Sequence, residues 1–189
     1  MNEPGLLTAL NTFLSGGETL TALSMLGKLT LGVTPSAERC RSGVFASPCF
    51  ASIKDIAATS STLELEKEAW RVIAAVSGLE EERTKEVFDS PGMVPLLMSG
   101  LKRANNHIAE YATITIHNLS INETTASAVL DDHPRLVQAL VDTFRTSGVC
   151  QKFQGKYIFR LLPLVLSASS NSPLPFRRVR GALQHDAND

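Results

Sequence analysis

The chain has almost no excess charge: 18 Lys and Arg offset 19 Asp and Glu across 189 residues, for a formal net charge of −1. No global field draws it to nucleic acid or to an anionic membrane, and either role would need a local basic patch. The only dense one is Arg177, Arg178 and Arg180, in a segment that also holds Pro173, Pro175 and a Ser/Asn run. That composition reads as a solvated tail, so residues 169–189 are expected to be disordered.

Cysteine is also scarce. Cys40, Cys49 and Cys150 form no Cys-x-x-Cys pair and leave an odd thiol if two bridge, which fits a reducing compartment. His107, His117, His133 and His185 are scattered, with no His-x-x-x-His and no Cys/His cluster, so no metal site is expected. His117 reads as an ordinary surface histidine. Gly-x-x-x-x-Gly-Lys-[Ser/Thr], Gly-x-Gly-x-x-Gly and Gly-x-Ser-x-Gly are all missing, which removes the usual supports for phosphate cradling and for a nucleophile elbow. Glu80-Glu81-Glu82 is an acidic run suited to the start of a helix, and Cys150 near Lys152 reads as an inert thiol. The opening Met1-Asn2-Glu3-Pro4 lacks a basic n-region, and Gly16-Gly17 interrupts the first apolar stretch. Neither a signal peptide nor a membrane span is expected, which points to the cytoplasm or nucleus. No enzyme activity and no cofactor are expected.

What the sequence does have is helical periodicity. Apolar residues recur at i, i+3, i+4 and i+7 from Leu6 to Leu166, while strict alternation over strand length is hard to find. Four stretches share a small residue followed by apolar residues at +4 and +7: Ala22/Leu26/Leu29, Ala69/Ile73/Val76, Ala112/Ile116/Leu119 and Gly155/Phe159/Leu162. The small residues stand 47, 43 and 43 positions apart, within the roughly 40–47 typical of armadillo and HEAT units. A small residue at a fixed point lets neighbouring helices approach closely, while the +4 and +7 residues fill the shared core.

Between these stretches lie three corners: Phe45-Ala46-Ser47-Pro48, Phe88-Asp89-Ser90-Pro91 and Leu130-Asp131-Asp132-His133-Pro134. Proline at a first helical position gives up only an N–H that would lack a partner, and Ser47 or Ser90 can cap the helix that follows. Each unit then reads as a short helix (Ser36 to Phe45, Glu80 to Phe88, Asn122 to Leu130), a corner and two longer helices. The helix after a corner carries Met93, Val94, Leu96, Leu97 and Leu101 in one unit, and Leu136, Val137, Ala139, Leu140 and Phe144 in the next. Gly5 to Phe13 reads as a second helix that has lost its first, so the array opens partway through a unit. That segment is either an adapted cap or part of a longer array.

Over roughly Pro4 to Leu166 the chain resembles the armadillo-repeat family. Ala112-Thr113-Ile114-Thr115-Ile116-His117-Asn118-Leu119-Ser120 is similar to its third-helix pattern, as is Glu68-Ala69-Trp70-Arg71-Val72-Ile73-Ala74-Ala75-Val76. Ser90-Pro91-Gly92-Met93-Val94-Pro95-Leu96-Leu97 is similar to its second-helix start. The resemblance implies an all-α, right-handed superhelical solenoid of about three to four armadillo-like repeats over residues 1–168. It also implies a concave face, formed by the third helices, that binds a protein or an extended peptide, with an Asn near the helix end clamping the partner's backbone.

That role falls to Asn118; the aligned positions hold Lys28, Ala75 and Leu161. The import-receptor branch places a Trp four residues before the Asn, where this chain has Ser24, Arg71, Ile114 and Tyr157, with Trp70 one position away. Alignment of the third helices gives Lys28, Arg71, Ile114, Asn118 and Tyr157 as the expected lining of the groove. Nucleic acid, membrane and small-molecule ligands are not expected. A second reading makes the chain a structural subunit that stacks or self-associates through its open ends.

Overall fold

A computed structural model describes residues 16–79 and 81–146, together with Gly5, Thr8, Ala9, Thr12 and Leu14. The expected groove residue Tyr157, the fourth repeat stretch, Cys150 and the 169–189 tail lie outside the described residues. So does most of the opening Gly5 to Phe13 segment.

Nine helices and no strand are found among the described residues: α1 Thr19–Thr30, α2 Pro35–Phe45, α3 Pro48–Thr59, α4 Leu63–Val76, α5 Glu81–Asp89, α6 Met93–Leu101, α7 Asn106–Leu119, α8 Glu123–Asp131 and α9 Pro134–Thr146. No helix among them is long and apolar enough to cross a membrane.

Local chemistry sets the helix starts. Pro35 opens α2 behind Thr34, whose hydroxyl accepts from the Ala37 N–H at 3.2 Å, and Pro48 opens α3 behind Ser47, which accepts from Cys49 at 3.3 Å. Asn105 accepts from the N–H groups of His107 and Ile108 to cap α7, and Asn122 caps α8 through Thr125. Each side chain satisfies backbone donors that the first turn would otherwise leave without partners.

The second corner departs from expectation. Proline was expected at the first helical position, but α6 begins two residues later at Met93, behind Gly92 with φ +79°. That left-handed conformation suits glycine, which has no Cβ to clash. Ser90 therefore caps nothing in α6; its hydroxyl donates to the Val87 carbonyl at 2.7 Å and accepts from Lys54 at 3.1 Å.

The helices form rows. α1, α4 and α7 are successive neighbours in one row, α3, α6 and α9 in a second, and α5 meets α8 in a third. Each short helix, corner and pair of longer helices thus forms a three-helix unit that packs on the next. Ala69 and Ala112, the small residues of the repeat, are fully buried where α4 and α7 sit in their row. A single apolar cluster runs through all the units, from Leu14 and Leu23 through Ile53, Trp70 and Leu97 to Leu136 and Leu140.

Polar stitches join one unit to the next. Lys54 of α3 donates to Ser90 and, at 2.7 Å, to the Pro91 carbonyl, with its ammonium 5.1 Å from the centre of the Phe50 ring. Burial lowers the Lys54 pKa from its ordinary value, with Asp55 partly offsetting this. Arg103 reaches the buried Glu66 carboxylate at 2.7 Å, and Thr143 of α9 donates to the Leu101 carbonyl of α6. Arg41 closes the end of α1 by donating to the carbonyls of Thr30 and Gly32.

Candidate functional site

The row α1, α4, α7 leaves one strip of each helix partly open to solvent, and the strips share a register. One set of equivalent positions holds Thr21, Glu68 and Tyr111, a second Ser24, Arg71 and Ile114, and a third Lys28, Ala75 and Asn118. Lys28 is exposed, while Arg71, Ile114 and Asn118 are half-buried.

Arg71 is fixed rather than loosely presented. Its guanidinium pairs with Glu68 one turn earlier and donates to the Ser24 carbonyl of α1 at 3.3 Å. It lies against the α1 backbone at Gly27, where any Cβ would overlap it. Glycine at position 27 is therefore needed for this close approach. Beside the pair stands Tyr111. Burial raises its phenol above the ordinary value; Arg71 opposes that shift, and Glu68 and Glu110 add to it. The phenol stays protonated near neutrality and can donate a hydrogen bond.

Asn118 uses its amide differently from the expected backbone clamp. Its Nδ2 donates to the Ala74 carbonyl at 3.0 Å and to the Ser77 hydroxyl at 3.2 Å, both at the end of α4. The donor half of the amide thus ties α7 to α4, leaving the carbonyl oxygen for any partner. Asn118→Ala should consequently lower stability by about 0.5–1.5 kcal/mol, the net worth of the lost hydrogen bonds, since the Ala74 carbonyl keeps the Ser77 hydroxyl as a donor at 2.8 Å. A urea midpoint equal to that of the wild type would show that the stitch contributes nothing.

His117, expected at the surface, is buried at 5% exposure. It lies on the side of α7 that in α1 and α4 holds Gly27 and Ala74, both buried.

The structure thus brings together Arg71 and α1, and separately Asn118 and α4, along one face that also carries Lys28 and Ile114. Sequence reasoning missed Glu68 and Tyr111. The signal was present: each directly precedes the small residue of its repeat, Ala69 or Ala112, and so shares the same strip.

A cleft of about 380 Å³ lies in the second row, between Val94, Pro95 and Met98 of α6 and the corner from Asp132 to Leu136. Its size would admit a small molecule. However, Asp132 and Arg135 are exposed, and the remaining walls are mostly apolar, so no converging polar set fixes a ligand there.

No protein-family model and no curated protein matches the chain. Among solved structures it is similar to the crystal structure of an engineered protein, a Northeast Structural Genomics Consortium target, with 18% sequence identity and a TM-score of 0.70. The match covers 89% of this chain and 69% of that one. At that identity the likeness carries the fold alone.

Proposed function

We propose that this chain is a short armadillo-type α-solenoid that holds an extended segment of another protein along the face of α1, α4 and α7. The observation that carries this reading is the register of the three strips, which places Ser24, Arg71 and Ile114 at equivalent points on successive neighbouring helices. An extended peptide crossing such a row meets a repeating set of contacts. The stacked helices lose little entropy on docking, because Arg71 and Asn118 are already fixed by bonds between units.

The contacts with most to offer a partner are Tyr111 and Ile114. Tyr111 is a large amphipathic ring with a phenolic donor, and Ile114 is an apolar side chain half-open to solvent. Arg71, neutralised by Glu68, serves more as a flat platform than as a free charge. A reducing cytoplasmic or nuclear setting belongs to the same reading, supported by Cys40 and Cys49, which form no disulfide with each other.

The test uses a peptide selected from a displayed random library against the full chain. Tyr111→Ala and Ile114→Asp should each weaken its binding by about 1–2 kcal/mol, roughly tenfold, as expected for hot-spot residues. Tyr111 packs partly against the core, so affinities are compared under conditions where circular dichroism shows each variant fully folded. Unchanged affinity in both variants would rule out this face.

A further inference from the structure

The repeat register exposes a second surface, at the α1 end of the row. Val72 and Val76 of α4 are fully buried, and 43 positions later Thr115 and Leu119 of α7 are fully buried as well. The equivalent positions of α1, 47 before those of α4, hold Met25 and Leu29, which are 48% and 41% exposed. They carry the apolar chemistry of a helix-stacking face, yet no helix of the row covers them. Leu31 and Val33, just beyond the end of α1, add further exposed apolar surface.

We infer that this face of α1 is a self-association surface, on which α1 of a second copy packs antiparallel about a two-fold axis. The occupant follows from continuity with the row and from the charge and size pattern of α1. The face continues the stacking interface already used between α1, α4 and α7, so a helix fits it. An isologous contact, in which the face meets itself, covers it on both copies at once.

Charge and size then fit the antiparallel register. Exposed Glu18 and Lys28 stand at the two ends of α1, so a two-fold axis near Leu23 sets Glu18 of each copy against Lys28 of the other. The same axis sets Met25 against Thr21, and Leu29 against Gly17, pairing a large side chain with a small one each time. The dimer face borrows Thr21 and Lys28 from the edge of the strip described above, but the main peptide contacts, Tyr111 and Ile114, lie on α7, so each inference is tested by its own variants.

The test is sedimentation equilibrium of the full chain over a wide concentration range. The wild type should form a dimer that dissociates on dilution. Met25→Asp should raise the dissociation constant by at least about tenfold, and Glu18→Lys alone or Lys28→Glu alone should also weaken the dimer. The Glu18→Lys/Lys28→Glu double variant should recover most of the loss, because each copy then presents the reversed pair. Circular dichroism should show all of these variants folded, since the substituted side chains are exposed. A wild type that stays monomeric at the highest concentration would overturn the inference. So would a dimer indifferent to Met25→Asp, or a double swap no tighter than the single ones.

Discussion

Trp70→Ala should destabilise the protein by about 3–5 kcal/mol, the range for truncating a large aromatic in a packed core. Trp70 is 1% exposed and lies on α4, which neighbours α1 and α7 in its own row and α3 beside it. Its ring reaches α6 at Gly100. Removing it takes away apolar contacts and leaves a void that helices fixed on several sides cannot close. Its indole N–H has no hydrogen-bond partner, so no polar interaction is lost to complicate the result. Urea unfolding of the variant should show a midpoint far below wild type with a similar slope. A loss under about 1 kcal/mol would mean that the Trp70 contact is not the centre of the core.

Gly100→Ala should destabilise by about 1–3 kcal/mol, although alanine is the better helix former by about 1 kcal/mol. A Cβ at this position would overlap the Trp70 ring and stand 3.0 Å from the Ala112 Cβ, so α6, α4 and α7 would have to move apart. The size of the effect depends on the indole. In the Trp70→Ala background only the tight Ala112 contact is left, and helix propensity should bring the cost of Gly100→Ala close to zero. A double-mutant cycle reads that coupling directly. Additive effects would place Gly100 and Trp70 out of contact.

Much of this architecture was legible in the sequence. Ala22, Ala69 and Ala112 are buried as the repeat requires, and the corners at Pro48 and Pro134 start helices, because a small residue and a proline each act through local sterics that spacing reveals. The second corner misled because Pro91 is followed by Gly92, whose positive φ moves the helix start to Met93. The candidate site was legible only as a face. Periodicity puts Arg71, Ile114 and Asn118 on one strip, but it cannot say whether a neighbouring helix offers a carbonyl within reach. Ala74 and Ser24 do, so Asn118 and Arg71 bond within the protein. His117 was misread for the same reason: its burial depends on what packs beside α7. Met25 and Leu29 fit the core pattern of their repeat, and only the structure shows them uncovered.

The most direct test of the proposed binding face places a photoreactive benzophenone amino acid at Ile114, or in a second protein at exposed Ser99 on α6 in the other row. After irradiation in cell extract, cross-linked peptides are read by mass spectrometry, with and without excess of the library-selected peptide. Position 114 should capture defined segments of other proteins, the selected peptide should suppress that capture, and position 99 should capture none of them. Equal capture from both positions, or capture at 114 that the peptide leaves unchanged, would contradict the assignment of the α1, α4 and α7 face as the working surface.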